Sequence, residues 1–200
     1  MLSVIIPARN EIYLERTIKN ILENAEGEIE VIAELDGWIP DPQINIGDER
    51  VVFVFHKESI GQRACINDGA RRAKGKYIMK LDAHCAVDKG FDVKLAKDCK
   101  YEWTVVPRMY NLDIETWKPK LHKRTDYMYI SSPSADKPFR ALYYGSAQPR
   151  NDIQIDETMC CMGPGWFMHK DRFWEQGGCD ENHEGGWGQQ GIEVALKAWL

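Results

Sequence analysis

The chain has 200 residues, of which 44% are hydrophobic and 28% charged, and its formal net charge is -5 at pH 7. These values predict one packed domain and argue against disordered, two-domain and dedicated nucleic-acid-binding proteins. No apolar run reaches the roughly 18 residues that a membrane-spanning helix needs, so we expect no membrane partner.

Strand and helix patterns alternate along the first half of the chain. Short apolar runs rich in β-branched residues predict strands at residues 2–8, 30–35, 51–55, 77–81 and 103–106. Apolar or small residues at helical spacing predict helices at residues 11–24, 60–73 and 91–99. This alternation predicts an α/β fold with a mainly parallel central sheet flanked by helices.

The pattern becomes irregular after this point. Residues 108–157 are rich in Pro, Tyr, Trp, Lys and Asp without a sustained period, which predicts an insertion of short strands and loops. Regular structure then resumes, with a strand predicted at 159–168, a short helix at 171–175 and a terminal helix at 191–200.

The six cysteines are expected to be reduced thiols. They show no C-x-x-C spacing, and no signal peptide precedes the first predicted strand. Because disulfides are rare in the cytosol, both features favour a cytoplasmic protein.

Asp82 and His84 are the sharpest functional signal. They follow the predicted strand 77–81, and residues i and i+2 of extended backbone point the same way. Ligands bind at the carboxyl ends of parallel strands, so this pair suits a metal ion whose shell a diphosphate completes. A carboxylate with an imidazole favours Mn²⁺ or a similar ion over Mg²⁺. The alternative is a turn-capping aspartate beside a partly buried histidine.

Two other strand ends carry polar residues. After the first strand, Asn10 is a candidate helix cap, and backbone N–H groups near Glu11 are placed to meet a nucleotide. After the second strand, Asp36 and Gly37 predict either a tight turn or a carboxylate that accepts the N3–H of uracil. The residues alone leave both alternatives open.

The predicted helix 60–73 contains small residues, which would let it approach the sheet closely. Arg63 and Asn67 are candidates for contact with a phosphate or a base. The other basic residues of this region are expected on a solvated face: Arg71, Arg72, Lys74 and Lys76.

Four segments carry a resemblance to a known family. They read SVIIPARNE, ELDG, GQRACINDGARRAKGKY and IMKLDAHC, and as an ordered set they resemble the nucleotide-binding half of family 2 glycosyltransferases. The D-x-H followed by cysteine is similar to the UDP-sugar-dependent polypeptide N-acetylgalactosaminyltransferases, whose acceptor-side block resembles residues 163–199. The resemblance implies one GT-A domain, with a nucleotide-binding half at 1–105, an irregular insertion at 106–158 and an acceptor-side half at 159–200.

The resemblance also implies roles for individual residues. The candidate donor site comprises strand-end residues and two from the second helix: Pro7, Ala8, Arg9, Glu11, Asp36, Arg63, Asn67 and Asp82. Asp82 and His84 would bind Mn²⁺, and the third metal ligand of these relatives would fall beyond Leu200. The candidate catalytic region comprises Trp187, Gln190 and Glu193.

The loop before the last helix departs from many inverting relatives, which carry a general base there. This loop reads Trp187-Gly188-Gln189-Gln190, and an amide cannot accept the proton. Glu193 lies one helical turn further and is expected to support the site from behind, whereas Glu184 is a candidate to move into it. The departure favours a retaining mechanism, in which the leaving diphosphate accepts the proton of the acceptor.

The sequence therefore predicts a metal-dependent glycosyltransferase that moves an N-acetylhexosamine or hexose from a UDP-sugar to a hydroxyl acceptor. A protein, a glycan or a modified base are all compatible acceptors. The alternative is a GT-A domain that binds nucleotide or glycan without turnover. A nucleotidyltransferase is disfavoured, because ARNE after the first strand lacks the glycines of a phosphate-binding loop.

Overall fold

The computed structural model describes residues 1–130, 144–146, 153–161, 163–182 and 189–200, with residues 144–146 described by their backbone alone. The first half contains β1 (Leu2–Ala8), α1 (Leu14–Asn24), β2 (Ile29–Asp36), β3 (Val51–His56), α2 (Gln62–Arg72), β4 (Tyr77–Leu81) and α3 (Phe91–Asp98). The remainder contains β5 (Met109–Asp113), β6 (Lys118–Thr125), β7 (Met128–Ile130), β8 (Tyr144–Ser146), β9 (Gly165–His169), α4 (Lys170–Glu175) and α5 (Gln190–Trp199).

The central sheet has five strands in the order β3-β2-β1-β4-β9. The first four are parallel, and β9 pairs antiparallel with β4 at the edge. Two further antiparallel pairs, β5 with β6 and β7 with β8, lie in the region of the expected insertion. The architecture is therefore the predicted α/β arrangement with a mainly parallel central sheet.

Side-chain alternation along the strands divides the apolar core between the two faces of the sheet. On one face, Val4 and Ile6 belong to a cluster that includes Ile18 of α1. On the other face, Ile5 belongs to a cluster that includes Ile66 of α2. Helices therefore cover both faces, as the alternation of strands and helices predicts.

Helix α2 lies close to the sheet at Gly69. A Cβ atom at this position would lie 2.5 Å from Cγ2 of Ile5, so any larger residue would force the helix away. The expectation that small residues permit a close approach is confirmed here.

Two predicted strands differ from the structure. Residues 103–106 form an isolated antiparallel bridge between Val105 and Phe167 instead of a strand. Pro107 follows this bridge and has no N–H to extend a ladder. The strand predicted at 159–168 begins only at Gly165. Pro164 directly precedes it and, like Pro107, has no backbone N–H to donate.

The cysteines and the helices bear on two further expectations from the sequence. All six cysteines are free, as predicted. No helix in the described ranges combines the length and the apolar character required to cross a bilayer.

Candidate functional site

The carboxyl ends of β1 and β2 bring two predicted donor-site residues together. Arg9 follows β1, and its Nη1 donates a hydrogen bond to Ser59 Oγ at 3.2 Å. Ser59 Oγ in turn donates to Asp36 Oδ2 at 2.8 Å. Arg9 and Asp36 are therefore linked through the β3–α2 loop, as the strand-end rule for parallel sheets leads one to expect.

Asp36 holds the start of α2 in place. Its buried carboxylate accepts hydrogen bonds from the backbone N–H groups of Ile60 at 2.6 Å and Gly61 at 3.2 Å. Gly37 adopts a φ of 63°, and a Cβ there would lie 2.5 Å from Ser59 N. These contacts fit the turn interpretation of Asp36 and Gly37, and the uracil contact stays a prediction.

The remaining residues after β1 have different environments. Pro7 is half-buried and Ala8 is buried, so the Ala8 side chain faces the core. Asn10 does not cap α1, since it has a φ of 57° and the helix is capped by Tyr13 without a side-chain hydrogen bond. The expected Asn10 cap is therefore wrong.

Lys80 was not among the predicted residues, yet it is fully buried against Asp82. Its Nζ donates hydrogen bonds to Asp82 Oδ1 and to the Gly163 carbonyl. The Asp82 N–H donates to the Pro164 carbonyl at 2.8 Å, and Gln62 Nε2 lies 3.5 Å from Asp82 Oδ1. The i and i+2 rule that pairs Asp82 with His84 also pairs Lys80 with Asp82.

His84 has a separate partner. Its Nδ1 lies 3.2 Å from Glu11 Oε2, and about half of its side chain is exposed. Within the described residues, Glu11, Asp82 and His84 do not form a group whose ligand atoms all lie within 4.8 Å of one another. The two predicted metal ligands thus follow one strand but contact different neighbours.

Arg63 and Asn67 are engaged within the protein. Arg63 Nε donates to Glu193 Oε2 at 2.7 Å and forms a largely buried ion pair that joins α2 to α5. The Asn67 side-chain amide donates to the carbonyl of Cys179 at 2.9 Å and accepts from its N–H at 2.9 Å. Both residues therefore hold the acceptor-side segment against α2, and donor contact by either one stays a prediction.

The Glu193 carboxylate accepts hydrogen bonds from several groups of the protein. Although burial raises its pKa, hydrogen bonds from Arg63, Lys197 and the Asp180 N–H lower that pKa below the ordinary 4.5. Its contribution to stability is therefore complete above pH 4.5 and is lost as the pH falls through the lowered pKa.

The Glu193→Gln variant is expected to unfold more easily at neutral pH, by about 1–2 kcal/mol, because charge-assisted hydrogen bonds are lost. Urea denaturation at neutral and acidic pH would show the deficit shrinking as the pH falls below 4.5. Glu15→Gln serves as a control, since that partly exposed side chain pairs with Lys19 one turn further along α1. An equal deficit at both pH values would contradict the assigned role of the Glu193 charge.

Gln190 has an unusual environment at the start of α5. The residue is buried, and within the described part of the chain neither Nε2 nor Oε1 has a hydrogen-bond partner. The indole Nε1 of Trp166 is likewise buried without a partner. Buried polar atoms without partners cost stability, so they are candidates for contact with a ligand.

Two other residues named from the sequence, Trp187 and Glu184, lie outside the described residues.

A large cleft opens beside His84. Its volume is about 1880 Å³, and its wall runs from Glu11 past Trp117 of the β5–β6 hairpin to Trp199 of α5. The cleft therefore separates the edge that carries His84 from the C-terminal helix.

Comparisons with known proteins identify the family and the fold of this chain. A family model described as Glycosyl transferase family 2 matches residues 3–177. A crystal structure of GalNAc-T7 with UDP, GalNAc and Mn²⁺ matches 100% of this chain and 40% of its own, with a TM-score of 0.73 and 18% identity. A crystal structure of S. aureus TarS 1–349 in complex with UDP-GlcNAc matches 48% of this chain and 30% of its own, with a TM-score of 0.41 and 15% identity.

The likeness to GalNAc-T7 establishes the fold. At 18% identity it carries no further information about activity, but it confirms the predicted GT-A architecture. The chain spans about two fifths of the length of that structure.

Proposed function

Because this chain belongs to glycosyl transferase family 2, we propose that it transfers a sugar from a UDP-sugar to a hydroxyl group with the help of Mn²⁺. The sugar is an N-acetylhexosamine or a hexose, and the hydroxyl belongs to a protein, a glycan or a modified base. The observation that carries the proposal is the grouping of Arg9, Asp36, Asp82 and His84 at the carboxyl ends of parallel strands. The ligands in the crystal structure of the fold neighbour GalNAc-T7, which are UDP, GalNAc and Mn²⁺, support the same choice.

The residues after β4 fit a metal ion of this type. His84 presents its Nδ1 to Glu11, which leaves Nε2 on the other side of the ring for a metal. A carboxylate that orients a ligating histidine is common in metal sites, so Glu11 would position the His84 ring. Asp82 and His84 would hold the ion, and the ion would neutralise charge on the departing diphosphate.

The environment of Gln190 supports a role in contact with the substrate. Its buried amide lacks partners within the described residues, and an amide offers both a donor and an acceptor to a sugar hydroxyl. Since this amide cannot take a proton, we propose retention, with the diphosphate of the donor accepting the proton. We assign the cleft beside His84 to the acceptor, and the nucleotide-binding role to residues 1–105.

The experiment that tests the proposal is a thermal-shift titration with UDP in the presence and absence of Mn²⁺. A ligand at about 100 times its dissociation constant stabilises the folded state by about 2.7 kcal/mol. For a chain of this size, that corresponds to a rise in Tm of roughly 5–10 °C. We expect the rise with Mn²⁺ and UDP together.

The double variant Asp82→Asn/His84→Ala is expected to lose this rise, because both proposed ligands are removed. Asp88→Asn is the matched control, since Asp88 is an exposed carboxylate close in sequence that pairs with Lys94. A UDP shift that is independent of Mn²⁺ or unchanged in the double variant would contradict the proposed site. Release of UDP from UDP-sugars by the wild type would exclude a domain that only binds nucleotide.

A further inference from the structure

A second group of metal-ligating side chains lies behind the candidate donor site. Glu34 of β2, His56 at the end of β3 and Cys65 near the start of α2 each direct one ligand atom into the space between the sheet and α2. These atoms all lie within 4.8 Å of one another. We refer to these three residues as the β3–α2 cluster. None of them is a donor-site residue predicted from the sequence.

Among the residues that the structure describes, one carboxylate oxygen of the β3–α2 cluster has no hydrogen-bond partner. The Glu34 side chain is fully buried, and its Oε2 lies 2.6 Å from His56 Nε2. Its Oε1 is buried and has no hydrogen-bond partner within the described residues. A hydrogen bond to His56 therefore satisfies only half of the carboxylate, although buried carboxylates ordinarily have all their oxygens engaged.

The surroundings of the β3–α2 cluster are rich in negative charge. Burial and the neighbouring carboxylates of Asp36 and Glu34 raise the pKa of the Cys65 thiol well above its usual range. A further carboxylate, Asp68 Oδ2, lies 3.9 Å from His56 Nε2 and is shared with Arg72. Three carboxyl groups and a thiol thus face one guanidinium and one imidazole, and burial raises the pKa of the Glu34 carboxyl. A bound cation would balance this charge.

We propose that Glu34, His56 and Cys65 bind a divalent first-row transition-metal ion of the Zn²⁺ class. Asp68 lies outside this group, and it would become the fourth ligand by turning from Arg72 toward His56, from which its Oδ2 is 3.9 Å away. Thiolate, imidazole and carboxylate are the protein groups that bind Zn²⁺, and the ion takes four ligands in closed sites. Ligand atoms around a tetrahedral zinc lie roughly 3.3–3.8 Å apart, so the contact between Glu34 and His56 would widen by about 0.7 Å. Binding releases the thiol proton of Cys65 to solvent.

The proposed ion would have a structural role distinct from that of the metal at Asp82 and His84. It would connect β2, β3 and α2 directly behind the loop that Asp36 holds. Four protein ligands leave no open position for a substrate, which is typical of structural rather than catalytic zinc. The ion would therefore stabilise the wall of the nucleotide site.

Titration of the chelator-treated protein with Co²⁺ tests the proposal, because a thiolate bound to Co²⁺ gives a charge-transfer band in the near ultraviolet. We expect one equivalent of Co²⁺ to develop this band and Zn²⁺ to abolish it. The Cys65→Ser and His56→Gln variants should lose the band. Cys160→Ser, which alters a buried thiol in another cluster, should keep it. Asp82→Asn/His84→Ala should also keep it, which separates this site from the proposed donor site.

Absence of the band in the wild type, or its persistence in both Cys65→Ser and His56→Gln, would overturn the proposal. If Cys65→Ser does not fold, His56→Gln decides the question, because the partly exposed His56 lies at a strand end on the sheet edge. Circular dichroism of each variant in the absence of metal establishes that loss of the band is not loss of the fold.

Discussion

Replacing Asp82 by alanine is expected to lower the free energy of unfolding by about 3 kcal/mol, independently of any effect on activity. The reason is the fully buried ammonium group of Lys80. It would keep its hydrogen bond to the Gly163 carbonyl but lose its ion pair with the Asp82 carboxylate. A buried charge without a counter-charge is far more costly than a lost surface ion pair. Urea denaturation of the two proteins provides the comparison.

Three further variants identify the cause. In Lys80→Met/Asp82→Ala the buried charge is absent, so the double variant should be more stable than Asp82→Ala alone. Asp82→Asn should also be less affected, because its amide oxygen can still accept a hydrogen bond from Lys80. Asp88→Ala removes an exposed partner of Lys94 and should change stability by less than about 1 kcal/mol. If the double variant is less stable than Asp82→Ala, the ion pair is not the cause.

Replacing Gln190 by methionine is expected to change stability and activity in opposite directions. A buried amide without partners costs about 1–3 kcal/mol, and methionine fills a similar volume without polar atoms. We therefore expect an unliganded Gln190→Met protein to unfold at a higher denaturant concentration. If the amide contacts the reacting sugar, sugar transfer should fall by about 100-fold.

Gln176→Met is the control for this experiment. Gln176 follows α4 and also has a buried Nε2 without a partner within the described residues, but it belongs to no part of the proposed site. Its replacement should not reduce UDP release from a UDP-sugar. Full activity of Gln190→Met would show that the orphaned amide does not contact the substrate.

The sequence predicts the strands that build the candidate site better than the contacts within it. Apolar runs and helical spacing are local signals, and they located β1 to β4 and the residues that follow β1, β2 and β4. Arg63 and Asn67 differ, because their partners Glu193 and Cys179 lie 130 and 112 residues away in the chain. No local pattern in the sequence identifies such distant partners. From the sequence alone, the polar side chains of Arg63 and Asn67 therefore suggested contact with a ligand.

Lys80 shows the opposite case, because a local rule would have been sufficient to predict its contact with Asp82. The alternation that places Asp82 and His84 on one side of an extended segment also places Lys80 with Asp82. A lysine in an apolar strand of a buried sheet needs a counter-charge, and the nearest carboxylate in sequence is two residues away. The prediction of a strand at 103–106 was wrong for another reason. Pro107 has no N–H group, so the pairing is limited to a single bridge.

The hydrogen bond from Lys80 to Gly163 spans 83 residues of chain, which has a consequence for biosynthesis. While the ribosome is still producing the middle of the chain, β4 is an open edge and the ammonium of Lys80 lacks one of its two acceptors. Contacts between distant segments form late in folding because a long loop must close first. The nascent chain therefore completes its sheet only after residues 163–169 emerge, and until then β4 is a second open edge that can pair with another chain.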